Sequence, residues 1–150
     1  MPLVSFDFDD TVLHCLPCPE WGSVEADEPD PVIVAAMREH AAAGDTVIIV
    51  TSRSEAFETL TQPDEWPPRT SVADCVAKHG LPVSAIHFTN GNLKAPTLVG
   101  LGVVKHFDDD TDEIDALPDS IEGVLVPEHP AWAQDDLFAS GEQDDGGPNQ

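Results

Sequence analysis

Positive charge is scarce in this sequence: six lysines and arginines stand against 29 aspartates and glutamates, a formal net charge of −23. Such a surface repels phosphate backbones over a screening length of about 8 Å at ordinary salt, so composition gives no support to a dedicated nucleic-acid-binding face. Apolar runs are short as well. None approaches the roughly 18 residues of a membrane span, which excludes an integral membrane protein. Nor is there a basic start followed by an apolar leader: Met1-Pro2 passes straight into Leu3-Val4-Ser5-Phe6-Asp7, and the chain is expected to stay in the cytoplasm. Cysteine is sparse and odd in number. Cys15, Cys18 and Cys75 do not fit a disulfide-stapled secreted module.

What is present suffices for one folded domain, since 150 residues with 41% hydrophobic content can enclose a single core. The acids are dispersed. A C-terminal stretch holds Asp135, Asp136, Glu142, Asp144 and Asp145, but the others run through the whole chain, and the lysines are only Lys78, Lys94 and Lys105. This pattern reads as adaptation to molar salt, in a halophile or in a cell infected by its virus. There the screening length shrinks to about 3 Å, and repulsion no longer excludes a nucleic-acid substrate.

Short apolar runs at 3–8, 46–50, 83–88, 103–107 and 123–126 read as strands. Between them lie helical patterns. Asp30-Pro31 opens one that Gly44 closes, and residues 71–79 form another, ended by Gly80. Residues 94–101 run to Gly102, and a further helix begins at Glu113. Residues 14–31, interrupted by Pro17, Pro19, Pro29 and Pro31, read as a loop, as does the Pro-broken stretch 62–68. Strands alternating with helices predict an α/β fold: a Rossmann-like parallel sheet of about five strands with helices on both faces. Residues 1–130 would be the domain and 131–150 an acidic flexible tail.

In such sheets the ligand sits outside the carboxyl ends of the strands. The first strand ends in Asp7-Phe8-Asp9-Asp10-Thr11 and the second in Thr51-Ser52-Arg53. Lys94 follows the third, and Asp108-Asp109-Asp110 closes the fourth. Acids meeting at one crevice cannot all ionise cheaply unless a cation neutralises them, and carboxylate oxygens suit a hard ion such as Mg2+.

This ordered set, Asp-x-Asp-x-Thr, then Thr, then Lys, then Asp-Asp on successive strand ends, resembles the haloacid dehalogenase superfamily of phosphohydrolases over roughly residues 3–126. Val50-Thr51-Ser52-Arg53 and Phe107-Asp108-Asp109 are more distantly similar to the phosphatase domain of phage polynucleotide kinase. The resemblance implies a magnesium-dependent phosphomonoesterase in which Asp7 is the nucleophile that forms an aspartyl phosphate. Asp9 would serve as acid and then base. Thr51 would donate to the phosphoryl oxygens, with Ser52 able to take that role, and Lys94 would offset charge. Thr11 and Arg53 join Ser52 as substrate-binding candidates. Asp7, Asp9 through its carbonyl, and Asp109 would hold the metal, with Asp108 acting through water.

The intervals 9–46 and 51–94 leave no room for a separate cap domain. In this family that implies an open site for large substrates, such as nucleic-acid 3′-phosphate ends, unless a homo-oligomer closes it. Nucleotides fit the same reading. The alternatives are a small-metabolite phosphatase and a non-catalytic interaction protein that keeps the fold.

Each residue also has a plainer explanation. Asp7 and Asp9 could be turn residues, Thr51 could satisfy backbone groups, and Asp108 to Asp110 could be surface acid. Lys105 competes with Lys94, but it lies within a strand. His14-Cys15-Leu16-Pro17-Cys18 has zinc-like spacing without a second pair, so Cys75 or His129 would have to be recruited. Trp21 could stack on a base or simply pack its loop.

Dispersed like charges repel until salt screens them, so the melting temperature should rise between dilute buffer and molar potassium chloride. A midpoint that stays flat or falls across that range would remove the high-salt reading.

Overall fold

The computed structural model describes residues 1–18, 20, 22–59 and 70–127. In chain order, β1 (Leu3–Phe6) is followed by β2 (Cys15–Cys18), β3 (Gly22–Glu25) and α1 (Pro31–Ala42). Next come β4 (Thr46–Thr51), α2 (Glu55–Thr59), α3 (Val72–His79) and β5 (Ala85–Phe88). The domain closes with α4 (Ala95–Leu101), β6 (Val103–Asp108), α5 (Thr111–Asp115) and β7 (Glu122–Leu125).

Five of the strands form one sheet in the order β5-β4-β1-β6-β7, and every neighbouring pair is parallel. The β-branched run of β4 is buried along almost its whole length because both its faces are covered. Val47 and Ile49 pack with Ile33 and Met37 of α1 and with Val72 and Cys75 of α3. Ile48 and Val50 face the other way, against Leu98 of α4, Val103 and Ile121. Helices therefore cover both faces of a Rossmann-like α/β sheet. Phe6 of β1 and Phe107 of β6 stack with ring centroids 4.4 Å apart, which adds to the first of these cores. Among the described residues no helix is long and apolar enough to cross a membrane.

Strand order places the crevice. From β1 the chain winds outward through β4 to β5, then returns to the other side of β1 for β6 and β7. The order reverses between β1 and β6, so their carboxyl ends flank the crevice.

Residues 14–31 are not a plain loop. β2 and β3 pair antiparallel, Cys15 opposite Glu25 and Leu16 opposite Val24. Both strands of a two-stranded ribbon are edges, so Pro17 costs no ladder bond that a central strand would need. Strand β1 also ends earlier than its apolar run suggests. After Phe6 the amides of Thr11, Val12 and Leu13 all turn back to the Phe8 carbonyl. Helix α2 is five residues long, too short to carry a readable period. The stretch 62–68, Trp21 and the segment 131–150 lie outside the described residues.

One buried acid ties the base of the ribbon to the start of α1. Asp30 caps α1 by accepting from the Val32 and Ile33 amides, and its Oδ2 lies 2.8 Å from Nε2 of the fully buried His14. Burial alone would push the Asp30 carboxyl up. The His14 and backbone bonds outweigh it and hold the carboxyl below its ordinary value. Asp30→Ala removes the cap and the bond to His14, and should cost about 3 kcal/mol in urea denaturation. Asp30→Asn, which keeps the cap, should cost distinctly less.

Candidate active site

The site is assembled from strand ends. The Asp7 amide donates to the Phe107 carbonyl at 2.8 Å, which fixes the end of β1 against β6. The following loop turns sharply at Asp10, a non-glycine residue at φ 61°, and brings Thr11 back beneath Asp7. Thr11 Oγ1 donates to Asp7 Oδ2 at 3.1 Å and reaches Asp109 Oδ1 at 3.4 Å. On β6, His106 and Asp108 are two residues apart and so share a face. His106 Nε2 meets Asp108 Oδ2 at 2.8 Å, while its Nδ1 lies 2.7 Å from Ser5 Oγ on β1.

Lys94 closes the cluster from the start of α4. Its ammonium donates to Asp7 Oδ1 at 2.8 Å and Asp108 Oδ2 at 2.7 Å, with Glu113 Oε2 at 3.7 Å. Its amide donates to the other Glu113 oxygen at 2.9 Å. Burial would discharge this ammonium, but Asp7 and Asp108 outweigh burial and raise its pKa, so it stays charged.

The three aspartates beside it are not equally anionic. Asp108 is bonded by His106, Lys94 and the Asp110 amide, which overcome burial and lower its pKa. Asp7 is pushed well above the carboxylate range by burial, with Asp108 adding to the lift against the pull of Lys94. Burial likewise lifts Asp109 to about 6, helped by the charges of Asp108 and Asp10. Asp7, Asp108 and Asp109 each offer an oxygen within 4.8 Å of the others. An all-carboxylate donor set short of positive charge fits a hard divalent cation. Among the described residues no other group of His, Cys, Asp or Glu is so placed; the Cys18 side chain and His129, which the zinc-like spacing would need, lie outside them.

A cavity of about 340 Å³ opens over the cluster, lined by Asp7, Asp9, Ser52, Lys94, Asp108, Asp109, Asp110, Thr111 and Glu113. Most of the residues singled out in the sequence meet there; three do not. Thr11 is fully buried and holds the two acids, so it does not face a substrate. Thr51 is also fully buried, and its Oγ1 accepts from the Arg53 amide at 3.2 Å. Ser52, by contrast, is exposed and lines the cavity, as does Thr111.

Arg53 departs furthest from expectation. Nε and one NH2 hydrogen fork onto Asp9, and the other NH2 hydrogen reaches Glu25. NH1 serves Glu58 and the Thr70 carbonyl. All five N–H groups are used within the protein, so none is left to clamp a phosphate. His106 and Glu113 were not singled out in the sequence. The position of His106, two before Asp108 on a strand, could have shown it, whereas Glu113 carried no signal in so acidic a chain.

No protein-family model matches the sequence, and no curated protein is significantly similar to it. Among solved structures, a hypothetical protein from Xanthomonas campestris is similar in fold, with a TM-score of 0.51 at 16% identity. The match covers 97% of this chain and 72% of that one. At that identity the likeness supports the α/β fold and nothing finer.

The raised Asp109 makes a pH prediction with a definite sign. A carboxyl whose folded pKa lies above its unfolded value stabilises the fold at low pH, and that contribution is lost as pH rises from about 4 through 6. Asp7, also raised, acts in the same direction, while Asp108 and Asp30 are already ionised there. In chelator-treated protein these two groups should therefore lower thermal stability across that window. Added Mg2+ should raise the melting point more at pH 7.5 than at pH 5, and Asp109→Asn should shrink the difference. An equal effect of Mg2+ at both pH values would show that these carboxyls do not hold the ion.

Proposed function

We propose that this protein is a magnesium-dependent phosphomonoesterase that works through an aspartyl phosphate on Asp7, as its resemblance to the haloacid dehalogenase superfamily implies. The observation that supports it most is the setting of Asp7. Its carboxylate opens on a cavity, held by Lys94 on one oxygen and Thr11 on the other, beside two further carboxylates. A structural ion-pair network has no need of an open cavity above it. Asp7, Asp108 and Asp109 would hold the cation, which when bound would neutralise phosphoryl oxygens and let the crowded acids ionise together.

The residues of the chain do the rest. Lys94 and Thr11 fix the Asp7 carboxylate so that an oxygen faces the phosphorus, and Lys94 reduces the repulsion between two approaching anions. Attack forms the Asp7–phosphorus bond and breaks the bond to the ester oxygen. Asp9, at the cavity rim with its side chain 33% exposed, would deliver a proton to that oxygen. In the second half it would take a proton from water as the oxygen of that water attacks phosphorus, freeing Asp7 and releasing phosphate. Ser52, which lines the cavity, would donate to the phosphoryl oxygens.

Hydrolysis of an aryl phosphate in molar salt with Mg2+ tests the reading. Asp7→Asn should lower turnover by about three orders of magnitude or more while leaving the melting point intact or raised. Asp9→Asn should lose more on an alkyl phosphate, whose leaving oxygen needs a proton, than on an aryl phosphate. On the aryl ester it should also give a burst of phenol as the acyl phosphate accumulates. Wild-type protein inert toward aryl, sugar and nucleotide phosphates alike would remove the proposal.

A further inference from the structure

Charge is unevenly distributed between the floor and the mouth of the cavity. The floor holds Lys94, 3% exposed, with its ammonium enclosed by Asp7, Asp108 and Glu113. The mouth holds the partly exposed carboxylates of Asp9, Asp109 and Asp110, with the hydroxyls of Ser52 and Thr111 as uncharged side-chain donors among the described residues. Arg53 stands close by, but its N–H groups are spent on Asp9, Glu25, Glu58 and the Thr70 carbonyl. Among the described residues no other lysine or arginine lines the cavity, and Lys105 lies over the ring of Phe107 instead. Surfaces that take nucleic-acid ends do the opposite, surrounding the neighbouring phosphates with lysine, arginine and backbone donors.

A reacting phosphoryl group would find its countercharge on the floor. A second anionic group on the same substrate would have to rest at the mouth, beside carboxylates. Like charges about 7 Å apart in water cost a factor of about 1.5 per pair once ordinary salt screens them. Arg53 with Asp9, Glu25 and Glu58 leaves a net −2 beside the mouth and Asp110 adds a third charge, which amounts to about threefold for one further phosphate and about tenfold for two. Screening removes most of that in molar salt.

We infer that this site selects phosphomonoesters of uncharged or cationic alcohols and discriminates against nucleic-acid ends and nucleotides that carry further phosphates. The inference rests on the phosphatase reading and narrows it. The same rim gives polyols and amino alcohols hydroxyl and carboxylate partners, and gives a second phosphate the Ser52 and Thr111 hydroxyls but, among the described residues, no cationic partner.

The test compares kcat/KM for glycerol phosphate, phosphoethanolamine and a 3′-phosphorylated trinucleotide at fixed Mg2+, in 0.2 M and 2 M KCl, with folding followed by circular dichroism. At 0.2 M the two small esters should exceed the trinucleotide by about tenfold or more, and the gap should narrow to about threefold or less at 2 M. Asp110→Asn keeps a side-chain oxygen for the Asp112 amide that Asp110 caps. It should shift the ratio about twofold toward the trinucleotide at the lower salt. A trinucleotide equal or superior at 0.2 M would overturn the inference, as would a ratio insensitive to both salt and Asp110→Asn. In either case measurable hydrolysis leaves the phosphatase reading standing. If none of the three esters nor an aryl phosphate is hydrolysed, the broader reading falls and this one with it.

Discussion

The ammonium of Lys94 is the interaction on which the rest of this structure depends. A charge this enclosed, 3% exposed, is costly unless fully paired, and here it is paired with Asp7, Asp108 and Glu113. The pairing spans four elements: the end of β1, the end of β6, the approach to α4 and the first turn of α5. The reverse dependence is stronger. Without the ammonium, three acids would face one another in a half-dry crevice, and the raised pKa values of Asp7 and Asp109 show how close the cluster already is to that limit. Side chains from elements distant in sequence are held in register by one cation.

How much of this was legible depends on the kind of signal. The five sheet strands and their helices follow from apolar periodicity and from caps such as Asp30-Pro31, because tertiary packing here agrees with local preference. The hairpin was hidden because its prolines spoke for a loop, and only a ribbon with two edges accommodates Pro17. At the site, composition blurred the picture. Lys94 stands out because lysine is rare in this chain, whereas Glu25, Glu58 and Glu113 disappear among 29 acids.

Strand register separates Thr51 from Ser52. Phe6 pairs with Ile49 on one side and Phe107 on the other, so Asp7 shares its face with Val50 and Asp108. Ser52 continues that alternation toward the cavity, while Thr51 follows Val47 and Ile49 onto the opposite face. A sequence pattern names the pair of hydroxyls. Only the register, which is a long-range property, says which one shares the face of Asp7.

The acidity of the chain and the architecture of the site belong to one design. Two of the six basic residues are hubs, each gathering three carboxylates: Lys94 as described, and Arg53 with Asp9, Glu25 and Glu58. The Arg53 hub gives the short hairpin a purpose. Among the described residues the ribbon is tied to the domain by the Glu25–Arg53 pair and the Glu25 bond to the Thr70 amide, and its base is closed by the backbone bond from Ala26 to His14. Glu58 ties α2 into the same hub and accepts from the Val72 amide at the start of α3. The rim that positions Asp9 is thus fixed by electrostatics, and the floor by electrostatics laid over a packed sheet. Salt acts differently on the two kinds of charge. It screens exposed carboxylates that only repel one another, but barely reaches pairs buried in protein, where bound groups and not mobile ions set the field. An acid-rich chain can therefore tolerate its own surface in concentrated salt while both buried hubs keep their geometry, because each joins its charges at hydrogen-bond distance.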